Sequence, residues 1–413
     1  MRFWLWWTLP ALLLTPSPTG AQTLAIANDI QTMSSLSATA ATVSGRAELR
    51  LTGSGDVLPG STVNLTSPDS WLIFTRIAPS AVISTFLSRV LVSSVPAVAD
   101  ANVRVVQYGM GAVVIPQAPD FQPLEAFDGR YFRGTSWKLN AHAHYDTAAL
   151  GAAAGRISSF KLKRGYLATF AASDNGASSS RCYVAQDGDI ELTRLPASLD
   201  NRVRYVRVFP WRWVSKKGIA GNIASAVHAH WWYNWNLDQN STSDREYVAI
   251  RQSRYWPGLD QNWKARGVNH VLGYNEPDNS VEANLSVGDA ISSWPDVLWP
   301  GLRAGSPAPT DGGLNWLYSF VDQADADGLR VDYIAVHYYR SYWNNNDPGA
   351  IANQFYNFLK GIYDRTRRPI WITEWNNGAN WTGDPDPTES QQADAVEAII
   401  TMLDNTPFVE RHA

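Results

Sequence analysis

The stretch Val268-Asn269-His270-Val271-Leu272-Gly273-Tyr274-Asn275-Glu276-Pro277-Asp278 decides how the fold is read. Alternating and β-branched apolar residues run up to Gly273, after which polar side chains crowd into Asn275-Glu276-Pro277-Asp278. That is the pattern of a strand ending on a carboxylate. In parallel sheets and barrels reactive groups gather at the C-terminal strand ends, because the strand is rigid and the loop after it faces the cleft. Pro277 fixes its own φ and disfavours the α region for its predecessor, so Glu276 is expected to be held extended. One such carboxylate carries no chemistry alone.

Working outward, a second run of the same kind, Pro369-Ile370-Trp371-Ile372-Thr373-Glu374-Trp375, delivers a carboxylate 98 positions later. Between and around the two, strand-like segments fall at 217–220, 226–233, 246–252, 268–274, 303–306, 331–339 and 370–374. Helix-like stretches intervene, as at 313–326 and 350–363, which makes a βαβα pattern with parallel strands. The strand ends at Asn275, Ser306, His337 and Thr373 are spaced as successive units of a (β/α)₈ TIM barrel would be. Glu276 then closes the fourth strand and Glu374 the seventh, and both tips open into one mouth. An eighth strand is expected to begin at 407–411. The segment 213–413 is short beside the ~250 residues typical of such barrels, so the barrel is expected to be C-terminally incomplete, truncated in its eighth strand.

Composition narrows the partners. The 413 residues hold 34 Lys plus Arg against 38 Asp plus Glu, a net charge of -4, which gives no reason to expect nucleic acid or an anionic membrane. The 19 Trp and 17 Tyr suit faces that stack on sugar rings, or a large aromatic core. Residues 1–21 read as a secretory signal peptide: Arg2, an apolar run at 3–14, then Thr19-Gly20-Ala21. The run is too short to span a bilayer, so a secreted protein without a membrane span is expected. A single cysteine, Cys182, excludes an internal disulfide framework. Asn64, Asn240, Asn284 and Asn380 begin glycosylation sequons.

The N-terminal part is expected to be all-β. Residues 22–44, rich in Ala, Ser and Thr, read as a weakly ordered lead-in, and 45–120 as a module of short strands. Residues 121–212 contain an aromatic hairpin at 124–134, a Ser-Ser strand at 157–162, and a partial repeat of both. This β-sandwich resembles a βγ-crystallin double Greek key. The calcium motif of that family has two acidic or amide residues followed by Ser/Thr-Ser. Here the first copy keeps only Ser158-Ser159 and the second only Asp200-Asn201, and no metal is expected.

Two carboxylates converging across a cleft are what glycosidic cleavage requires: one protonates the leaving oxygen, and the other attacks the anomeric carbon or activates water. Leu272-Gly273-Tyr274-Asn275-Glu276-Pro277-Asp278, Gly305-Ser306-Pro307-Ala308, Val336-His337-Tyr338-Tyr339 and Ile372-Thr373-Glu374-Trp375 resemble the glycosyl hydrolase catalytic core, family 128, of the clan A retaining enzymes. The resemblance covers about 216–413 and implies a secreted endo-β-1,3-glucanase without a cofactor, acting as a monomer on a polysaccharide. It implies Glu276 as acid/base and Glu374 as nucleophile, with Asn275 donating to the sugar 2-hydroxyl. The acid/base calls for a raised pKa and the nucleophile for ionisation. His337 is expected beside Glu374. Tyr274, Tyr233, Trp235, Tyr339, Trp375 and Trp381 are expected as sugar platforms, together with Trp231 and Trp232, and Asn234 as a hydroxyl-binding amide. Two other functions fit the same residues: a clan relative acting on a β-1,4-glycan or galactan, and an inactive carbohydrate-binding wall protein.

Overall fold

The computed structural model describes residues 22–340, 347–378 and 387–413. The expected signal peptide, Asn380 and Trp381 lie outside the described residues. Two compact units, Met1–Pro119 and Asp120–Ala413, make up the chain. Among the described residues no helix is long and apolar enough to cross a membrane.

In the first unit the chain passes back and forth between two sheets. Gln22–Ala27, Thr39–Ser44, Thr62–Leu65 and Val90–Val92 pair in parallel in one. Ile30–Met33, Ala47–Leu51 and Ser70–Phe74 pair in parallel in the other, extended by the antiparallel hairpin Val103–Gly109 and Gly111–Pro116. Each coil stacks on the next around a core that includes Val43, Leu49, Val63, Leu65, Leu72 and Phe74. Residues 45–120 are mostly strands, interrupted by helical turns at Pro79–Ala81, Val82–Phe86 and Leu87–Arg89, and 22–44 is no loose lead-in. It forms the first coil, with Thr39, Ala41 and Val43 pointing inward. Small residues suffice there because the next coil supplies both backbone partners and cover.

Residues 124–210 of the second unit fold as two four-stranded antiparallel sheets. Their orders are Ser136–Leu139, Leu124–Phe127, Ser159–Leu162, Ile190–Leu192 and Ala143–Tyr145, Tyr205–Pro210, Tyr166–Ala171, Ser180–Ala185. The strands Ala143–Tyr145 and Ile190–Leu192 lie in the sheet opposite to their sequence neighbours. This exchange brings the two half-motifs together: Ser158 Oγ donates to Asn201 Oδ1 at 3.1 Å. The Asp200 carboxylate faces the Arg130 guanidinium at 2.7 Å and that of Arg194 at 3.6 Å, so cationic side chains already neutralise it. The second of these sheets packs onto the next part of the same unit. Leu167, Phe209 and Trp211 join its core, and Thr169 Oγ1 donates to Gly301 O at 2.8 Å.

Eight parallel segments follow: β1 Gly218–Ala220, β2 Trp231–Tyr233, β3 Glu246–Tyr247 continued by Ala249–Ile250, β4 His270–Leu272, β5 Arg303–Ala304, β6 Ile334–Arg340, β7 Ile370–Asn377 and β8 Val409–His412. Parallel ladders join β1 to β2, β2 to β3, β3 to β4, β4 to β5, β6 to β7 and β7 to β8. Parallel bridges Gly305↔Tyr333 and Lys217↔His412 link β5 to β6 and β8 to β1. The eighth strand, expected to be cut short, is therefore paired on both sides. Leu314–Ala326, Pro348–Thr366 and Glu389–Asn405 are the long helices outside β5 to β8. The connections after β1 and β2 contain no helix.

The inner face of these strands is aromatic, with Trp231, Tyr233, Tyr333 and Trp371 in one cluster with Ile250, Leu272 and Ala335. Trp71, Trp231, Trp263, Trp294 and Trp371 are all fully buried, so much of the tryptophan excess builds cores and not sugar platforms. Deeper inside, away from the strand tips, lies a buried ionic group. Arg411 of β8 meets Glu246 of β3 at 2.6 Å, with His270 of β4 at 3.6 Å from the same glutamate. Arg303 of β5 holds both oxygens of Glu410 at 2.6 and 2.8 Å. Burial, reinforced by Arg411 and Arg303, drives the His270 pKa well below the usual imidazole value, so this ring is neutral.

Candidate active site

The strand tips place Glu276 and Glu374 on one cavity of about 570 Å³. Its walls are Trp235, Gln252, Asn275, Glu276, Asn279, Glu282, Thr310, Asp311, Tyr339 and Glu374. Two backbone irregularities aim the acids. On β7, Ile372 packs outward and strict alternation would send Glu374 outward too. The β6–β7 register shifts instead: Val336 faces Ile372, but His337 faces Glu374 and Thr373 is skipped. One extra residue in a strand reverses everything beyond it. Glu374 turns into the cavity, and Trp375 turns outward against Phe355, into the outer core. The other irregularity is at Glu276, whose φ is +39°. The extended conformation expected there does not form. Pro277 excludes the right-handed helical region, and the residue takes the left-handed one, where its N–H donates to Ala308 O at 2.8 Å.

Glu374 is surrounded by donors. Tyr233 Oη at 2.9 Å and Trp235 Nε1 at 3.0 Å both reach Oε1, and Tyr339 Oη reaches Oε2 at 2.7 Å. Both phenols stay protonated: burial raises the Tyr233 and Tyr339 pKa values, and the negative charge of Glu374 raises them further. Glu276 has fewer partners. His337 Nδ1 lies 3.0 Å from Oε1 and Asn279 Nδ2 donates to Oε2 at 2.8 Å. The hydrogen bond with His337 is the main cause drawing the Glu276 pKa below the usual carboxylate value, with burial opposing it and Asn279 adding to it. The raised pKa expected of an acid is thus not found with His337 as donor. His337 is 1% exposed and also faces Glu374, Nε2 to Oε1, at 3.5 Å.

The structure gathers Asn275, Glu276, His337, Tyr339, Tyr233, Trp235 and Glu374, and disperses the others. Tyr233 is buried and serves Glu374 as a donor, so it offers no platform. Asn234 bonds Asn222 and Asp238 and accepts from Tyr247, which makes it a loop clamp. Tyr274 faces outward, its hydroxyl 2.8 Å from Ser293 Oγ and its ring against Trp294, because alternation slips at Gly273. A Cβ at Gly273 would lie 2.5 Å from Pro307 N, so β4 and β5 approach there as only glycine permits. Trp231 is buried inside and Trp232 packs outside against Tyr247. Asn275 Nδ2 donates to Glu282 at 3.2 Å. Gln252, Asn279, Glu282, Thr310 and Asp311 escaped the sequence reading. Gln252, Thr310 and Asp311 follow β3 and β5, so the strand-end rule applied to every strand would have found them.

Asp278 accepts from the backbone N–H of Thr310 at 2.9 Å and from its hydroxyl, which ties the β4 loop to the β5 loop. Among the described residues, Glu276, His337 and Glu374 form the cluster whose spacing would suit a cation. Their oxygens are met by O–H and N–H donors, an arrangement for a carboxylate and not for a metal. Replacing Tyr339 by Phe removes one charge-assisted bond from Glu374. A loss of roughly 1.5–3 kcal/mol of transition-state stabilisation is expected. It would appear in kcat/KM without a change in the far-ultraviolet circular dichroism.

Two carboxylates on one cavity, one of them held by three donors, are the equipment of a glycoside hydrolase. The sequence profile described as the glycosyl hydrolase catalytic core matches residues 210–413. The chain belongs to that family. It is 32% identical to a family 128 endo-β-1,3-glucanase of Amycolatopsis mediterranei solved with laminaritriose, over 48% of this chain and 86% of that one, with a TM-score of 0.42. A family 128 endo-β-1,3-glucanase of Sorangium cellulosum is 24% identical over 48% and 86% of the two chains, with a TM-score of 0.40. Alkali-sensitive linkage protein 1 of Schizosaccharomyces pombe is 28% identical over 193 residues. The match takes in 45% of this chain and 34% of that protein, so the chain spans about a third of the length of this curated relative.

Proposed function

We propose that this protein is a secreted, retaining endo-β-1,3-glucanase working by double displacement, its catalytic part a closed (β/α)₈ barrel preceded by a βγ-crystallin-like sandwich. The pairing of β8 with both β7 and β1 supports closure, and the exchanged strands at 143–145 and 190–192 support the sandwich. The observation that carries the mechanism is the spacing of the acids: an oxygen of Glu276 and one of Glu374 lie within 4.8 Å. Retaining pairs stand about 5–5.5 Å apart, whereas inverting pairs leave about 6.5–9.5 Å for a water.

In the first step Glu374 attacks the anomeric carbon while Glu276 passes its proton to the departing glycosidic oxygen. Glu276, now ionised, takes a proton from water, which attacks the same carbon and frees Glu374. Tyr233, Trp235 and Tyr339 hold the Glu374 carboxylate in place for the attack. The β-1,3 linkage rests on the relative that is 32% identical over 86% of its length.

Among the described residues the cavity walls contain the carboxylates of Glu276, Glu282, Asp311 and Glu374 and no Lys or Arg, with Arg340 beside them paired to Asp311. A field of that sign repels uronate and sulfated chains and admits neutral ones. Reducing-end release should therefore appear on laminarin-type β-1,3-glucan and be absent on polygalacturonate and alginate. Release from cellulose, xylan or galactan alone would move the assignment to another linkage. Binding without release from any of them would make the protein a carbohydrate-binding one.

A further inference from the structure

We propose that His337 is a neutral imidazole with its hydrogen on Nε2, a positioning residue that keeps the proton on Glu276 and the charge on Glu374. The inference rests on the roles given above to the two glutamates, and it starts from a geometric fact. One buried ring faces both acids at once, Nδ1 to Glu276 at 3.0 Å and Nε2 to Glu374 at 3.5 Å. A neutral imidazole offers one N–H and one lone pair, so each of its states imposes a different distribution of protons on the pair.

An imidazolium would donate to both sides and favour two ionised carboxylates, leaving no acid. A ring protonated on Nδ1 would favour an ionised Glu276 and turn a lone pair toward the charged Glu374. A ring protonated on Nε2 points its N–H dipole at Glu374, and its Nδ1 lone pair can bond Glu276 only if Glu276 carries a proton. That last state is the one from which the first displacement can start.

The remaining groups around the ring favour it. From β2 and the loop after it, Tyr233 and Trp235 donate to Glu374, and from β6 so does Tyr339. Among the described residues Glu276 receives the Asn279 amide besides His337. Glu282 shares the cavity and adds negative charge, which disfavours a second ionised acid, whereas Asp311 is paired with the Arg340 guanidinium. With Glu276 protonated every polar atom is used: Oε1–H donates to Nδ1 and Oε2 accepts from Asn279. The downward pull on the Glu276 pKa belongs to a ring that donates from Nδ1. A ring that accepts there pulls upward.

The same tautomer serves the second displacement. When the Glu276 proton passes to the leaving oxygen, the Nδ1 lone pair is left facing a carboxylate. That contact strengthens Glu276 as the base that takes a proton from water. No proton leaves His337 at any stage, and none is gained.

The tautomer can be read from nitrogen shifts in the full chain labelled with ¹⁵N-histidine. The resonances lost in His337→Phe should show a pyridine-type Nδ1 and a pyrrole-type Nε2. If that variant does not fold, the histidine whose signals move when a 2-fluoroglucoside traps Glu374 identifies the ring. An imidazolium, or hydrogen on Nδ1, overturns the proposal. A second readout is the basic limb of kcat/KM against pH, which reports the acid of the free enzyme. In His337→Phe it should move to lower pH by about one unit, the scale of one hydrogen bond. An upward move, or none, contradicts the assignment. If Glu276→Gln keeps full activity, the reading of Glu276 as acid fails separately, and the nitrogen shifts still decide the tautomer.

Discussion

Glu374→Gln should lower turnover on β-1,3-glucan by roughly 10⁴-fold or more, the scale on which a nucleophile acting within a concerted constellation is lost. The amide is nearly isosteric and can still meet Trp235 and the two tyrosines, so the fold should survive and only the attacking charge disappear. Glu276→Gln should cost about 10²–10⁴-fold through loss of the acid, and less on substrates whose leaving group needs no proton. That contrast separates the roles. Measured with a glucan and with an aryl glucoside bearing an acidic phenol, Glu276→Gln should recover on the second substrate and Glu374→Gln should not. Azide can replace the missing base in Glu276→Gln and should give the β-glycosyl azide. Equal losses on both substrates for both variants would contradict the assignment.

The second large effect concerns stability. Arg411→Met should destabilise the second unit by about 3–5 kcal/mol, because it strands Glu246, fully buried, without its 2.6 Å partner. His270 is a poor substitute, since burial, the main cause holding its pKa down, stays in place when Arg411 is removed. Replacing Glu246 as well should recover most of the loss, because the cost lies in an uncompensated buried charge and not in the absence of a bond. Urea unfolding of the wild type and of both variants measures this. A single variant as stable as the wild type would mean that water reaches the site.

Glu276 and Glu374 were legible because both lie where an apolar run gives way to a polar cluster, and the positions of the intervening strands set them in one mouth. The long helices were legible for a related reason, their apolar residues recurring at helical spacing over several turns. The first coil was not, since Thr39, Ala41 and Val43 are small, and their burial depends on a partner strand elsewhere in the chain. The pairing of Ser158 with Asn201 was equally hidden, as strand exchange joins residues that the sequence sets in different repeats.

By itself, then, the sequence determined where two glutamates end two strands of one sheet, and which aromatic and amide residues lie near them. These follow from local pattern and composition. Only the tertiary structure decided which side chains face the cavity. The skipped residue at Thr373 turns Glu374 inward and Trp375 outward, and the close approach at Gly273 sends Tyr274 to the helices. A side chain's face depends on a count of one residue, and that count is set by how neighbouring strands register. Tyr233 and Trp235 thus changed from expected platforms into donors to Glu374, and His337 gained a second contact, with Glu276.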